Sequence, residues 1–556
     1  MKEMTLRSGA FSARVTEGAI GAVTCGGVEV LRGLTCPVRN ADWGTYLTET
    51  VSEQLDTARY ARRFTDSDKT FDGALDVKLD EVSPGAGRLV AEVSFTFRRA
   101  ARVNRVGFTL LHPLRGVVGQ PLTLRHPGGG ISEAAFPSRV SPAQPALDIA
   151  GLAHVVQGVA VEIAMEGEVF EMEDQRNWSD ASFKTYCRPL SLPFPYGVAA
   201  GETVRQRIVL TVRQTGEETG RKPDAPAAPR SVRMPQVMLA HESGLSDRAA
   251  LAAFPGVPVL LRLTPDTPQA ELESLAARPG TALEIVFEDL PGLQSLIARA
   301  RMAGLMPLRV TALPRLWLKS HQPSGPWPEG PRPEAALPLL RAGFPGRPVG
   351  GGSLTNFTEL NRARPDPETV DFVTFGNTAL VHAADDLSVW QTLEALPDIF
   401  RTAQDIAGGK PLHLGLLSIG MRSNPYGDGV AANPQRLRLP MAQDDPRQGT
   451  GFAAAYAVAV LAGAAVAGVE SLALAMPDGP LGATGPLADV VRTAAALAGQ
   501  EVQIARTGGV VVVDAGGSGL AANCTGSVAN VDGLPPLIPE SATIWDAPAP
   551  ERQDTA

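Results

Sequence analysis

Three side chains of this 556-residue sequence have the type and position for hydrolytic chemistry: Glu288, Glu359 and His382. Glu288 closes the apolar run ALEIVFE, Glu359 follows RPVGGGS, and His382 follows DFVTF. A carboxylate or imidazole so placed can take a proton from water or return one to a leaving oxygen. Partial burial would raise a carboxylate's pKa toward neutrality and suit it to that work. Either glutamate could instead accept hydrogen bonds from hydroxyls, and His382 could be a structural histidine, although Asp385 and Asp386 nearby weigh toward function. Asn356, Asn377, Asp385, Arg422 and Asn424 also follow apolar runs. They suit a hydroxyl-rich ligand, and Arg422, Asn356 or His382 could stabilise an oxyanion.

Other charges lie inside the runs. In ALEIVFE, residues Leu283, Ile285 and Phe287 share one face, which turns Glu284 and Glu288 to the other. The same parity turns Arg262 and Arg309 inward on neighbouring strands, giving an expected layer Arg262–Glu284–Arg309. Such a layer is either a buried ion network or the floor of an anion or polyol site, and its charges must be paired in both cases. A dense polar string, EMEDQRNWSDASFKTY, holds Arg176, Asn177, Trp178, Asp180 and Lys184 within a few residues. It is either a salt-bridged surface loop or an arm that brings Arg176 and its neighbours to a substrate. A long loop, PRLWLKSHQPSGPWPEGPRP, carries Trp317 and Trp327, which could pack together or stack on a sugar ring.

Several chemistries lack support. No G-x-S-x-G elbow is present, and the seven histidines show no H-x-H or H-x-x-x-H spacing. There is no Walker loop, and GDGVAA follows no strand directly. No metal or other cofactor is therefore expected. A retaining glycosidase would commonly carry carboxylates after strands four and seven of a barrel. Here those runs lead into Leu313-Pro314-Arg315 and Ile419-Gly420-Met421-Arg422.

The elements that must position these groups fall into two textures. Residues 1–213 carry short alternating runs such as VAEVSFTF, separated by turn strings such as SPGAGR, and read as an N-terminal β-sandwich. Residues 214–232 are rich in Pro, Ala and charge and read as a linker. Residues 233–498 hold eight strand-like runs (QVMLA, VPVLLRL, ALEIVFE, PLRVTAL, RPVGGGS, DFVTF, LHLGLLS and SLALAMP) alternating with helical stretches. That pattern predicts a (β/α)8 TIM-type barrel, with a doubly wound sheet as the alternative. A barrel would place the residues above at the C-terminal mouth of its strands. Residues 499–556 return to strands, either as a small C-terminal β domain or as strands completing the sandwich.

Composition agrees with a soluble globular protein, 44% hydrophobic and 20% charged. A net charge of -9 without a Lys/Arg cluster argues against nucleic acid as partner. The apolar run GFAAAYAVAVLAGAAVAG is mostly alanine and reads as a buried helix, so no membrane association is expected. No signal peptide is visible, and the four cysteines have no CxxC spacing, which suits reduced thiols in the cytoplasm. Oligomeric state is not readable.

The strings EDQRNWSDASFKTY, GFTLLHPL, LTNFTELNR, VHAADDLSVWQTLE and RSNPYG resemble the D-apionate lactonase family, and together they span most of the chain. The resemblance implies an N-terminal β domain, a TIM barrel and a C-terminal β domain. It also implies hydrolysis of a small sugar lactone, D-apionolactone, to D-apionate in apiose catabolism. It carries over no catalytic residues. The alternatives from the residues themselves are a glycoside hydrolase acting on a plant-type saccharide and a non-catalytic carbohydrate-binding protein.

Overall fold

The computed structural model describes residues 3–216, 228–278 and 280–545. The chain divides into two compact units. One comprises Met1–Gln175 and Ala181–Lys222, the other Arg176–Asp180 and Pro223–Ala556.

The first unit is antiparallel β, with an eight-stranded, a nine-stranded and a small three-stranded sheet. Strict alternation makes one face of each large sheet apolar. Ala86–Phe97, for example, buries every second residue, and Phe71–Ser83 does so as far as Leu79. The two buried faces meet as a sandwich. The Phe11 ring of one sheet lies over Gly87 of the other, so close that a Cβ there would fall 2.8 Å from it.

The second unit is a closed barrel of eight parallel strands. These are β1 (Gln236–Glu242), β2 (Val259–Leu263), β3 (Thr281–Phe287), β4 (Val310–Pro314), β5 (Val349–Asn356), β6 (Phe372–Thr378), β7 (His413–Ser418) and β8 (Ser471–Ala475). Each matches one expected run. β2, β3, β4, β6 and β8 are buried along their whole length, because helices cover one face and the barrel interior the other. The helices are α1 (Gln269–Ala276), α2 (Leu290–Met302), α3 (Leu337–Gly343), α4 (Phe357–Arg362), α5 (Asp386–Ala407), α6 (Gly451–Val466) and α7 (Pro486–Ala496). After β1 a 3-10 turn, Arg248–Ala253, stands where a helix was expected.

The alanine-rich run is α6, buried almost all round, as an apolar helix without a polar face must be. Among the described residues no helix is long and apolar enough to cross a membrane. The C-terminal strands form their own five-stranded sheet rather than completing the sandwich. Arg230–Arg233, within the stretch read as linker, pairs at its edge with Glu501–Thr507. The rest of that stretch falls mostly on residues 217–227, outside the described residues, as does the end of the chain from 546.

Candidate active site

Register builds the floor of the site. Glu242 pairs with Arg262, Arg262 with Glu284 and Glu284 with Thr311 across β1 to β4, so the three charges stand at one level inside the barrel. Arg262 donates to Glu284 Oε2 through Nε at 3.1 Å and Nη2 at 2.9 Å. Arg422, beyond β7, spans both acids, with Nε 2.9 Å from Glu242 Oε2 and Nη1 2.9 Å from Glu284 Oε2. Burial raises the Glu242 carboxyl's pKa, but Arg422 and Arg262 more than offset this and hold it below the usual range.

The expected third member, Arg309, is not hydrogen-bonded to Glu284. It directly precedes β4, two residues before the Thr311 that pairs with Glu284, and so sits one inward step below that level. There its Nη2 meets Met238 Sδ at 3.2 Å and its guanidinium stands 5.9 Å from the Phe372 ring centre. Arg422 takes its place. The floor is thus Glu242, Arg262, Glu284 and Arg422, a compact network in which each acid faces two arginines.

A narrow cavity of about 10 Å³, room for roughly one water, lies over this floor. Its lining includes Arg262, Glu284, Asn356, Asn377, Ser418 and Arg422. Two donors on that lining, Arg422 Nη2 and Asn356 Nδ2, are buried with no hydrogen-bond partner. Burial raises the pKa of the nearby Tyr426 hydroxyl, and Asn356 works against that rise without reaching hydrogen-bond geometry. Unpaired buried donors are costly, so two of them on one cavity call for a single acceptor oxygen there, the size of a water or of a carbonyl oxygen.

The segment Arg176–Asp180 belongs to this unit and is tied down along its length. Arg176, fully buried, donates to Asp398 of α5 at 2.8 Å. Asn177 accepts from Thr358 at 2.5 Å through its carbonyl and from Asn361 at 2.8 Å through its side chain. Ser179 donates to Asn377 Oδ1 at 2.7 Å. Asp180 Oδ2 lies 2.5 Å from His382 Nδ1, and the Trp178 ring stands edge-on to the imidazole at 5.7 Å. A carboxylate on Nδ1 fixes the proton there and leaves Nε2 as the acceptor, the state a general base needs.

The remaining expected residues divide. Glu359 is buried, and its Oε2 accepts the Asn356 backbone N–H at 3.0 Å in a capping box at the start of α4. Burial pushes its carboxyl up to about 7, against the favourable influence of the Asn356 N–H, Ser320 and Arg362. Glu288 is largely exposed and ion-paired with Arg315, and it lines neither this cavity nor the larger one beside β5. Asp385 caps α5, accepting from the Ser388 N–H at 2.9 Å and hydroxyl at 2.6 Å. Asn424 shapes its own loop through Gly429 and Tyr426. Trp317 and Trp327 stack on each other, with ring centres 5.4 Å apart. In the sequence Asp180 shows only as a member of a polar string, and Glu242 only as a polar residue just after the run QVMLA.

Family models described as D-apionate lactonase, N-terminal domain, and D-apionate lactonase, TIM barrel domain, match residues 1–215 and 244–502. A D-apionate lactonase from Brucella anthropi is 35% identical over 90% of this chain and 88% of its own. Solved structures with some likeness include a beta-arabinopyranosidase, 10% identical over 98% of this chain and 99% of that one, with a TM-score of 0.28. A monomeric beta-xylosidase from Caulobacter crescentus CB15 is 13% identical over 56% of this chain and 76% of that one, with a TM-score of 0.33. At such scores the likeness has no bearing on activity. The two family matches and the relative agree, and the chain belongs to the D-apionate lactonase family, a family of lactone hydrolases.

Proposed function

We propose that the chain hydrolyses D-apionolactone to D-apionate at the mouth of the barrel, with His382 as general base. The observation that carries the site is the Asp180–His382 pair beside a cavity with two unspent donors. Ser179, next to Asp180 in sequence, donates to Asn377 on the wall of that cavity, and this link is what supports joining the pair and the cavity in one site.

In this mechanism His382 Nε2 takes a proton from water as the water oxygen attacks the lactone carbonyl carbon. The carbonyl electron pair moves onto oxygen, where Arg422 Nη2 and Asn356 Nδ2 donate to it. Collapse of the tetrahedral species breaks the ring C–O bond. The imidazolium returns its proton to the departing ring oxygen and leaves an open-chain hydroxy acid. Asp180 keeps the imidazole in one orientation and steadies its charge. Glu242 and Glu284 hold the Arg422 side chain in place, while Asn377 suits a sugar hydroxyl.

A pH-stat assay on five-carbon aldonolactones, D-apionolactone among them, tests this reading, run with and without chelator. Acid release that survives chelation and depends on His382 is the expected result. Acid release abolished by chelator would leave a lactonase but overturn the proposed base, and no release on any lactone would overturn the function.

A further inference from the structure

β4 and β5 pair only at Val310–Val349 and Thr311–Gly350. Beside the stretch where their ladder stops lies a cavity of about 170 Å³, bounded by Leu313, Gly351, Trp317, Trp327, Glu359 and Val370 among others. It shares no lining residue with the narrow cavity over the charged floor.

Two buried polar atoms belong to its lining and have no partner, Glu359 Oε1 and Trp317 Nε1. Their residues are 5% and 8% exposed. One is an acceptor and the other a donor, a combination that hydroxyl groups satisfy, since each hydroxyl both donates and accepts. The cations on the lining are engaged elsewhere, Arg362 with Ser320 Oγ at 3.2 Å and with the face of the Trp178 ring. Lys319 is spent on the carbonyls of Asn424 and Gly427, and Arg364 on Asn361. Exposed Arg332 and Glu334 on the same lining are opposite in charge. Glu359, when ionised, would itself repel a carboxylate. The apolar lining suits C–H faces. The volume is close to that of an engineered apolar cavity of about 150 Å³ that accepts benzene.

We propose that this cavity is a second binding site, for a small neutral polyol of about four to six carbons, whose hydroxyls donate to Glu359 and accept from Trp317. Glu359 also holds the Asn356 N–H through its other oxygen, so a bound polyol would touch the carboxylate that seats the first turn of α4. The inference does not depend on the reaction proposed above.

The test is titration of the full chain with xylitol, followed by tryptophan fluorescence and calorimetry. Saturable millimolar binding is expected, unchanged in Arg422→Lys. Loss of one charge-assisted hydrogen bond predicts weakening of about tenfold in Glu359→Leu. Trp317→Phe, which leaves the α4 cap intact, should weaken binding several-fold, and Ala363→Leu, which fills the wall, should abolish it while thermal unfolding stays near wild type. Three results overturn the proposal: no saturable signal in wild type, binding unaffected by Trp317→Phe and Ala363→Leu, or binding lost in Arg422→Lys. The last would place the polyol over the charged floor. A protein that hydrolyses no lactone yet binds xylitol in the expected pattern would sink the proposed reaction and leave this site standing.

Discussion

Asp180 Oδ2 holds His382 Nδ1 at 2.5 Å across 202 residues of sequence. The contact is made inside the barrel unit, to which the five residues Arg176–Asp180 belong although strands of the other unit flank them in sequence. Their anchors to α4, α5 and Asn377 fix the carboxylate, and the carboxylate fixes the tautomer of the imidazole.

If His382 is the base, His382→Gln lowers kcat by about 10²–10⁴-fold. Asp180→Asn keeps the side-chain shape but can stabilise the wrong tautomer, and lowers kcat at least about tenfold. KM should stay within about twofold in both, because the loss falls on the chemical step. Initial rates by pH-stat check this, and a change confined to KM would speak against it.

Asn356→Ala removes one of the two unspent donors. Loss of one oxyanion donor costs about 10²–10³-fold in kcat. The same residue is the N-cap of α4, so about 1 kcal/mol of stability should go with it. Rates measured well below the melting temperature separate the two effects. Unchanged kcat would remove Asn356 from the proposed site.

Glu284 and Glu288 should part company when substituted. Glu284 is buried and its Oε2 accepts from both Arg262 and Arg422, so Glu284→Ala leaves two buried guanidinium groups to share Glu242 alone and costs about 3–5 kcal/mol. Glu288 makes an exposed pair with Arg315, so Glu288→Ala should stay within about 0.5 kcal/mol of wild type. Urea unfolding of the two variants tests the contrast, and equal losses would contradict it.

Much of this was legible in the sequence because buried parallel strands announce themselves as apolar runs, and because parity exposes an inward charge within a run, as with Arg262 and Glu284. Parity does not give height along the barrel. Arg309 has the right parity but sits one step below Glu284, while the partner it was expected to be, Arg422, comes from a loop where no register can be read. Glu288 also had the right parity, yet β3 ends at Phe287 and the chain turns at Asp289, whose side chain caps α2. The turn carries Glu288 out to Arg315. The partnership of Asp180 with His382 left no trace beyond an unusually polar string.

Glu359 gives a pH signature. Its carboxyl stands at about 7 in the fold against 4.5 as the ordinary value, because burial disfavours the charge. The folded state therefore holds its proton more tightly. The stability it contributes is complete below pH 4.5, falls as pH rises toward 7, and is flat above that, a loss of about 3 kcal/mol. Glu359→Gln should remove that slope. Urea midpoints of wild type and variant between pH 4.5 and 8 measure it, and parallel profiles would contradict the assignment.

The most direct test of the account is a double-mutant cycle on D-apionolactone hydrolysis with His382→Ala and Asp180→Ala. If Asp180 acts only through His382, the double variant turns over at the rate of His382→Ala alone, within about twofold. Losses that multiply, or a His382→Ala variant that retains the wild-type rate, would contradict the general base proposed here.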